Sequence, residues 1–575
     1  VLFVASPAIF TSWGFGPDFT NHLWLISQQS DAIAHLGHPT LYMHSEPGGI
    51  FQPFYGFYGG SLYAIVGGVS ALLGQQPEIA YVGSIVLFGA MAYRGVWLLG
   101  HMAGLSRLLA HVPAYIFVSS AYFLTDLYAR GAWPELAALA ALPFAIAYGV
   151  RLLRYEWTAG SVLGFAWGCV LLSGSHNITL LWSTVLIAIA GAAAWLVLGR
   201  DRPGLWQIGK VAGVAALAGG VNAWFLLLDV RHSGDTVVGS GAAFFWDFTK
   251  QFDTPQAIFT PLRTAPASGT FGLVVAVPVL ALVVGLGLLV VRHRAVLAQP
   301  RALRRLSLVC AGLLVLVIGM MMMPESWWLK LGTPFTLIQF PYRLAGYAAL
   351  VSSLLVLLCL RLATNGAPSR WTTLVLVGLV AITTIQAGAQ MWGTSSADHV
   401  PPTKRDRSLA LANGPTKPPA TWYDTGSYRD SSRPVIANID PARTVVLPIP
   451  DAGARSVTAT VTLPAGDAPV FTNIVGGPYV VRIAGVGVVG RGIDGRTAII
   501  RLPGQSRRVT ITATAAGGKP QTLAGAISIL SILALLGLAI AVEVSRRRNR
   551  TEPEPPGPPA GDSAEGRTLS NAAAR

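Results

Sequence analysis

Residues Phe54–Leu73, FYGFYGGSLYAIVGGVSALL, are apolar enough to suggest a membrane crossing, and the direction of every later segment depends on whether they make one. If they cross, the basic groups Arg94/Arg107, Arg151/Arg154, Arg200/Arg202, Arg292/Arg294/Arg301/Arg304/Arg305 and Arg546/Arg547/Arg548/Arg550 all fall outside. If they lie on the outer surface as a Gly- and Tyr-rich interfacial helix, every one of those groups becomes cytoplasmic, in accord with the positive-inside bias. The second reading is the consistent one. Apolar runs long enough to span then lie near 79–99, 108–127, 135–150, 158–174, 178–198, 208–229, 270–291, 306–323, 344–363, 371–391 and 521–543. With residues 1–11 read as the end of a first span, this gives an α-helical polytopic membrane protein of about twelve transmembrane helices with both termini inside.

Composition agrees. The 575 residues are 52% hydrophobic and only 12% charged, with a mean hydropathy of +0.54, too little charge for a water-soluble chain of this size. A formal charge of +15 suggests nucleic acid in a soluble protein, but here it sits in short clusters between apolar runs, where it orients the chain; nucleic acid is therefore discounted as a partner. Cys169, Cys310 and Cys359 lie far apart inside apolar stretches, which supports neither a disulfide framework nor a thiolate metal site.

The chain divides into a membrane domain over 1–391 with an outward loop at 12–78, a block at 392–520, a last span at 521–543 and a Pro-rich tail at 544–575. Residues 392–520 carry short Val/Thr/Ile runs between Gly, Pro and Asp, which predicts an extracytoplasmic β-sandwich-like domain. The tail has nothing to bury and is expected to be disordered in the cytoplasm.

The outward parts gather the polar groups. Asp18 and His22 are one helical turn apart, with Phe19, Leu23, Ile26 and Ile33 on a neighbouring face. A helix lying on the membrane would bury that stripe and turn Asp18, His22 and Gln29 toward water. A partly desolvated carboxylate has raised proton affinity and suits a general base; the alternative is that Asp18 only caps the helix. Arg130 and Glu135 flank a Gly/Pro turn in Tyr128-Ala-Arg-Gly-Ala-Trp-Pro-Glu135, either as a structural ion pair or as groups facing a phosphate-bearing substrate. His176 in Ser175-His-Asn177, and Gln339 with Arg343 in Gln339-Phe-Pro-Tyr-Arg343, mark two further outer ends, and Arg343 either anchors the interface or reads a lipid phosphate. Tyr55, in the aromatic run, and Trp246, in an aromatic lip at 244–248, are candidate substrate contacts; interfacial belts account equally for such aromatics. His35, His38 and Glu46 are too loosely spaced for a metal site, so solvated loop histidines are expected, with no metal and no cofactor.

The order of parts, an outward Asp18, an amphipathic helix, an aromatic interfacial helix and an acid at the Glu135 turn, resembles the GT-C membrane glycosyltransferases. The segments Asp18-Phe-Thr-Asn-His22-Leu-Trp, Gln52-Pro-Phe-Tyr-Gly-Phe-Tyr, Tyr128–Glu135, Ser175-His176 and Gln339–Arg343 more closely resemble the bacterial membrane family labelled "6-pyruvoyl-tetrahydropterin synthase related", although no pterin-enzyme metal triad is present. The resemblance spans most of residues 1–390. It implies transfer of a sugar from a polyprenyl-phosphate sugar lipid to a cell-envelope glycan acceptor, outside the bacterial cytoplasmic membrane, with membrane lipids around it. It implies Asp18 as base, with His22 and Glu135 beside it. Many GT-C enzymes carry an adjacent acidic pair where this chain has Pro17-Asp18-Phe19, which argues against a metal-bridged mechanism. The competing expectation is a non-catalytic protein of that fold that binds or passes lipid-linked glycan, or scaffolds envelope-assembly protein partners.

Overall fold

The computed structural model describes residues 1–10, 18–41, 43–45, 50–52, 54–56, 58–232, 276–297, 299–332, 335–338, 341–365 and 369–397, the strand segments 444–445, 456–463, 470–475, 479–483, 497–500 and 507–515, and residues 518–551. The membrane domain opens with α1 (Leu2–Phe10) and α2 (Phe19–Leu36), the latter closed by Gly37 in the left-handed region at φ +72°. A short ribbon, β1 (Met43–Ser45) and β2 (Ile50–Gln52), and a 3-10 turn at Phe54–Gly56 lead into α3 (Gly60–Leu72). Thirteen residues rise about 20 Å, short of the ~30 Å hydrocarbon core, so α3 is too short to span on its own.

Long helices follow: α4 (Pro77–Met102), α5 (Arg107–Val118), α6 (Ala121–Leu124), α7 (Trp133–Leu153), α8 (Ala159–Ser175), α9 (Asn177–Leu198), α10 (Leu205–Val221) and α11 (Ala223–His232). Next come α12 (Ala276–Val291), α13 (His293–Leu297), α14 (Arg301–Met321), α15 (Glu325–Leu331), α16 (Leu344–Thr364) and α17 (Arg370–Ala397), and α18 (Gly518–Thr551) closes the described chain. Caps set several of these starts: the Ser106 and Thr158 hydroxyls accept from Leu109 N and Ser161 N at the heads of α5 and α8.

Among the described residues seven helices are long and apolar enough to cross a membrane, or nine if each of two bent pairs is one span. This is a multi-pass membrane protein; the described residues do not establish the expected count of about twelve spans, and two of the expected runs are bent. The run 108–127 is bent by 52° between α5 and α6, and the run 208–229 by 80° between α10 and α11. Within the described residues the stub, α8 and α12 cover 9, 17 and 16 residues.

The core sits on α16, which is buried along almost its whole length and is apolar all round, as an interior helix must be. Alanines 137, 138, 140 and 141 keep α7 slim between its neighbours, and Gly95 of α4 meets the Pro143–Phe144 backbone so closely that an added Cβ would lie 2.5 Å from it. By contrast α9, α14, α17 and α18 leave most of their apolar surface uncovered, the pattern of lipid-facing helices.

The block at 392–520 contributes β3 (Thr444–Val445), β4 (Ser456–Leu463), β5 (Val470–Val475), β6 (Tyr479–Ile483), β7 (Thr497–Ile500) and β8 (Arg507–Ala515). Antiparallel β4-β8-β6 form one sheet; β1-β2-β5-β3, with β7 on β5, form the other. The β1–β2 ribbon therefore joins the later sheet, through the parallel pair Phe51–Ile474. The block is β-rich where described; a face-to-face sandwich of the two sheets is not established by these strands.

Candidate active site

The site is built where the bent α5–α6 pair ends. After α6 the chain takes a π-helical turn, Thr125–Arg130, and leaves it through Gly131 in the left-handed region at φ +66°, where a side chain would be strained. This wide turn sets Asp126 and Arg130 together: Arg130 Nη1 lies 2.6 Å from Asp126 Oδ1 and 3.0 Å from Glu135 Oε2 at the head of α7. The Tyr122 hydroxyl donates to Glu135 Oε1 and accepts from Arg130 Nη1 at 3.2 Å. Arg343, at the head of α16, brings its Nε to 3.2 Å from the same Glu135 Oε2 and donates from Nη1 to the Ile338 carbonyl. All four charged side chains are buried, Asp126 completely. Buried charges of this kind persist only when paired, and here each carboxylate has a guanidinium within 3.2 Å.

Asp18 stands against this network without joining it. Its backbone N–H donates to the Arg130 carbonyl at 3.3 Å, which ties the start of α2 to the π turn. Its carboxylate makes no cap bond to α2, and Asp18 has helical rather than extended backbone angles, φ −85° and ψ −7°. Among the described residues the carboxylate has no ion pair. Burial pushes its pKa up to about 6, although Arg130 and Arg343 pull it down; Glu135 adds to the rise.

His176 closes another side. Its Nδ1 lies 2.7 Å from Thr179 Oγ1 and accepts from Thr179 N, capping α9, while Tyr58 meets its ring edge-on at 5.8 Å. Burial, then the charges of Arg343 and Arg130, hold His176 neutral with a pKa of about 3. Asp18, Glu135, Arg130, Arg343 and His176, taken from four separate stretches of sequence, thus share one electrostatic neighbourhood.

Other expected residues fall elsewhere. His22 and Gln29 do not face water: both are buried beneath α3. The reason is Gly67, where an added Cβ would lie 2.5 Å from Gln29 Cβ, so that α3 covers the second face of α2. The His22 Nδ1 lies 2.6 Å from the Tyr63 hydroxyl, its ring lies against Trp133, and burial lowers its pKa to about 3. Gln29 instead clamps the backbone of Thr40 at both its carbonyl and its N–H. Tyr55 is buried in the same interface with its hydroxyl on the Leu25 carbonyl at 2.7 Å. Gln339 and Trp246 lie outside the described residues, as do Glu46 and the side chains of His35 and His44; His38 is exposed. No group of three or more metal-ligating side chains occurs among the described residues.

Asp126 and Tyr122 were not singled out from the sequence. The available signal was a lone acid in an apolar run, four residues before Arg130, the spacing at which side chains meet on a helix.

The fold and site thus define a multi-pass membrane protein with a buried ion network and an uncapped carboxylate at the ends of its helices. No protein-family model matches the chain, and no curated protein does. Among solved structures, the chain is similar to arabinofuranosyltransferase AftD from mycobacteria, with a TM-score of 0.42 and 16% identity over 72% of this chain. It spans 28% of that protein's length, and a likeness this distant carries no argument for activity.

Proposed function

We propose that the chain is an inverting glycosyltransferase that moves a sugar from a polyprenyl-phosphate carrier to a cell-envelope acceptor on the outer side of the bacterial cytoplasmic membrane. The observation that carries the proposal is Asp18: a partly buried carboxylate with no cap bond and a pKa of about 6, within electrostatic reach of two guanidiniums. A base needs a carboxylate that is not consumed by structure and whose proton affinity is raised toward neutrality. In the reaction the acceptor oxygen bonds to the anomeric carbon as that carbon's bond to the phosphate oxygen breaks. The lipid phosphate leaves with the electron pair, and the acceptor hydroxyl proton passes to Asp18. Arg343 and Arg130 balance charge on the departing phosphate, with Glu135 holding both in place, and His22 supports the helix that carries Asp18.

Asp18→Asn tests this, because an amide takes no proton from a hydroxyl while the missing cap bond leaves little stability to lose. Sugar transfer should fall by a factor of about 10²–10⁴ with unfolding temperature nearly unchanged. Full activity would move the assignment to the second reading, a non-catalytic binder or carrier of lipid-linked glycan. That reading is favoured by one observation: both guanidiniums already hold carboxylates, as in a structural network.

A further inference from the structure

Asp229 is a half-buried acid that the reaction above does not use. It lies on α11, which the chain bends by 80° at Asn222 to present. The bend is held by side chains: Asn222 donates to the Val170 carbonyl at 2.9 Å and to Ser173 Oγ at 2.7 Å, and Ser61 Oγ donates to Asn222 Oδ1. Trp224 Nε1 donates to Ser61 Oγ at 3.0 Å, and Phe225 fills the space beside Gly60, so α11 rests on the head of α3. Asp229 falls in the last turn of α11, where the helix dipole disfavours a negative charge. No cation among the described residues pairs with it. Its partner is neutral: Asn177 Nδ2 donates to Asp229 Oδ2 at 2.6 Å.

Asn177 is the next residue after His176, whose ring meets Tyr58, so carboxylate, amide and aromatic ring follow one another around the head of α9. Burial raises the pKa of the Tyr58 hydroxyl and the charge of Asp18 adds to the rise, so this aromatic stands in the field of the proposed reacting groups. A carboxylate has about four acceptor positions, and the described residues supply one donor. Such a pairing of an acceptor-rich carboxylate with an amide and an aromatic face matches adjacent hydroxyls on a sugar ring with its apolar C–H face.

We propose that Asp229 and Asn177, with Tyr58 as their platform, form a subsite that holds the hydroxyls of a monosaccharide. The proposal rests on the glycosyl-transfer reading and names the part of the site that recognises sugar rather than phosphate. Asp229 is thus a binding residue and takes no part in moving the proton.

The test uses the full chain in lipid nanodiscs and three kinds of probe: farnesyl phosphate, farnesyl phosphates bearing a pentofuranose or a hexopyranose, and octyl glycosides of the same sugars. Asp229→Ala and Asn177→Ala should each weaken the sugar-bearing probes by about tenfold, leaving affinity for bare farnesyl phosphate unchanged. A loss confined to sugar-phosphate probes identifies the donor sugar; a loss confined to octyl glycosides identifies the acceptor sugar; either supports the subsite. Wild-type affinity for every probe in both variants overturns the subsite and leaves the transferase reading standing. A wild-type protein that binds no octyl glycoside and does not distinguish sugar-bearing from bare lipid phosphate overturns both. If Asp229→Ala does not fold, Asp229→Asn keeps the size, removes the charged acceptor and reads the same comparison, with a loss of about threefold expected.

Discussion

Two sets of arginines at the ends of the helices are treated in opposite ways, although Arg151 beside the second set also pairs with Glu156 at 2.8 Å. Arg130 and Arg343, in the set near Asp18, are buried and meet the carboxylates of Asp126 and Glu135. In the other set the guanidiniums of Arg154, Arg305 and Arg361 reach the carbonyls of Met102, Val197 and Ala103, closing the ends of helices and the turn after α4 with no carboxylate involved. A guanidinium on a helix-end carbonyl satisfies a backbone group and complements the dipole, with its remaining edge available to water or lipid headgroups. A guanidinium sealed among acids is costly to desolvate and holds its position only while every partner is present. One set is sealed among acids and the other rests on backbone carbonyls, and residue type alone does not separate them.

The hardest test of that contrast is Asp18→Asn, with its expected loss of about 10²–10⁴ in transfer rate; matching activity would leave the paired set with no chemistry to distinguish it. Glu135→Ala comes next. It leaves Arg130 and Arg343 buried with one carboxylate fewer and should cost about 3–5 kcal/mol, read as a large fall in unfolding temperature in detergent. In the other set Arg154→Met, which keeps the apolar stem and removes one hydrogen bond to Met102, should cost about 0.5–1.5 kcal/mol. Equal losses from these two variants would erase the contrast.

A finer test uses pH. Asp18 is raised from 3.8 to about 6, so the stability its protonated form adds is fully present below 3.8 and is lost as pH rises through 6. His22 is lowered from 6.5 to about 3, so its contribution is present above 6.5 and is lost as pH falls toward 3. Between these limits the two slopes oppose. Relative to wild type, Asp18→Asn should make stability climb with pH between 4 and 6, and His22→Asn should make it fall, as measured by thermal unfolding at three pH values across that interval.

Much of the site was legible because its residues lie where polarity breaks an apolar pattern: Asp18 after the stub, Arg130 and Glu135 around a Gly/Pro turn, His176 and Arg343 at helix heads. Distances were not legible, since they depend on α16 and α7 meeting across sequence gaps of roughly two hundred residues. The charges that follow residues 54–73 bear on their direction and not on the length of α3, and the burial of His22 and Gln29 could not be read either, because it depends on Gly67 letting a second helix lie over the first. The bends were hidden for a related reason. Ser119-Ser120 and Asn222 look like ordinary polar residues in hydropathic runs, and for Asn222 only its partners reveal that the helix stops there.

The π turn at Thr125–Arg130 has a further consequence. A π turn holds one residue more than an α turn, so the register of everything beyond it hangs on a single peptide unit. Loss of one codon among 127–129 would leave the apolar character of the helix intact and even smooth its backbone. It would set Arg130 three residues from Asp126 in an α turn, while Glu135, which lies beyond the deletion together with Arg130, would keep its spacing to it. The extra peptide unit therefore sets the width of the turn beneath the cluster, and its removal would separate what the site needs from that width from what it needs from the pairing of charges.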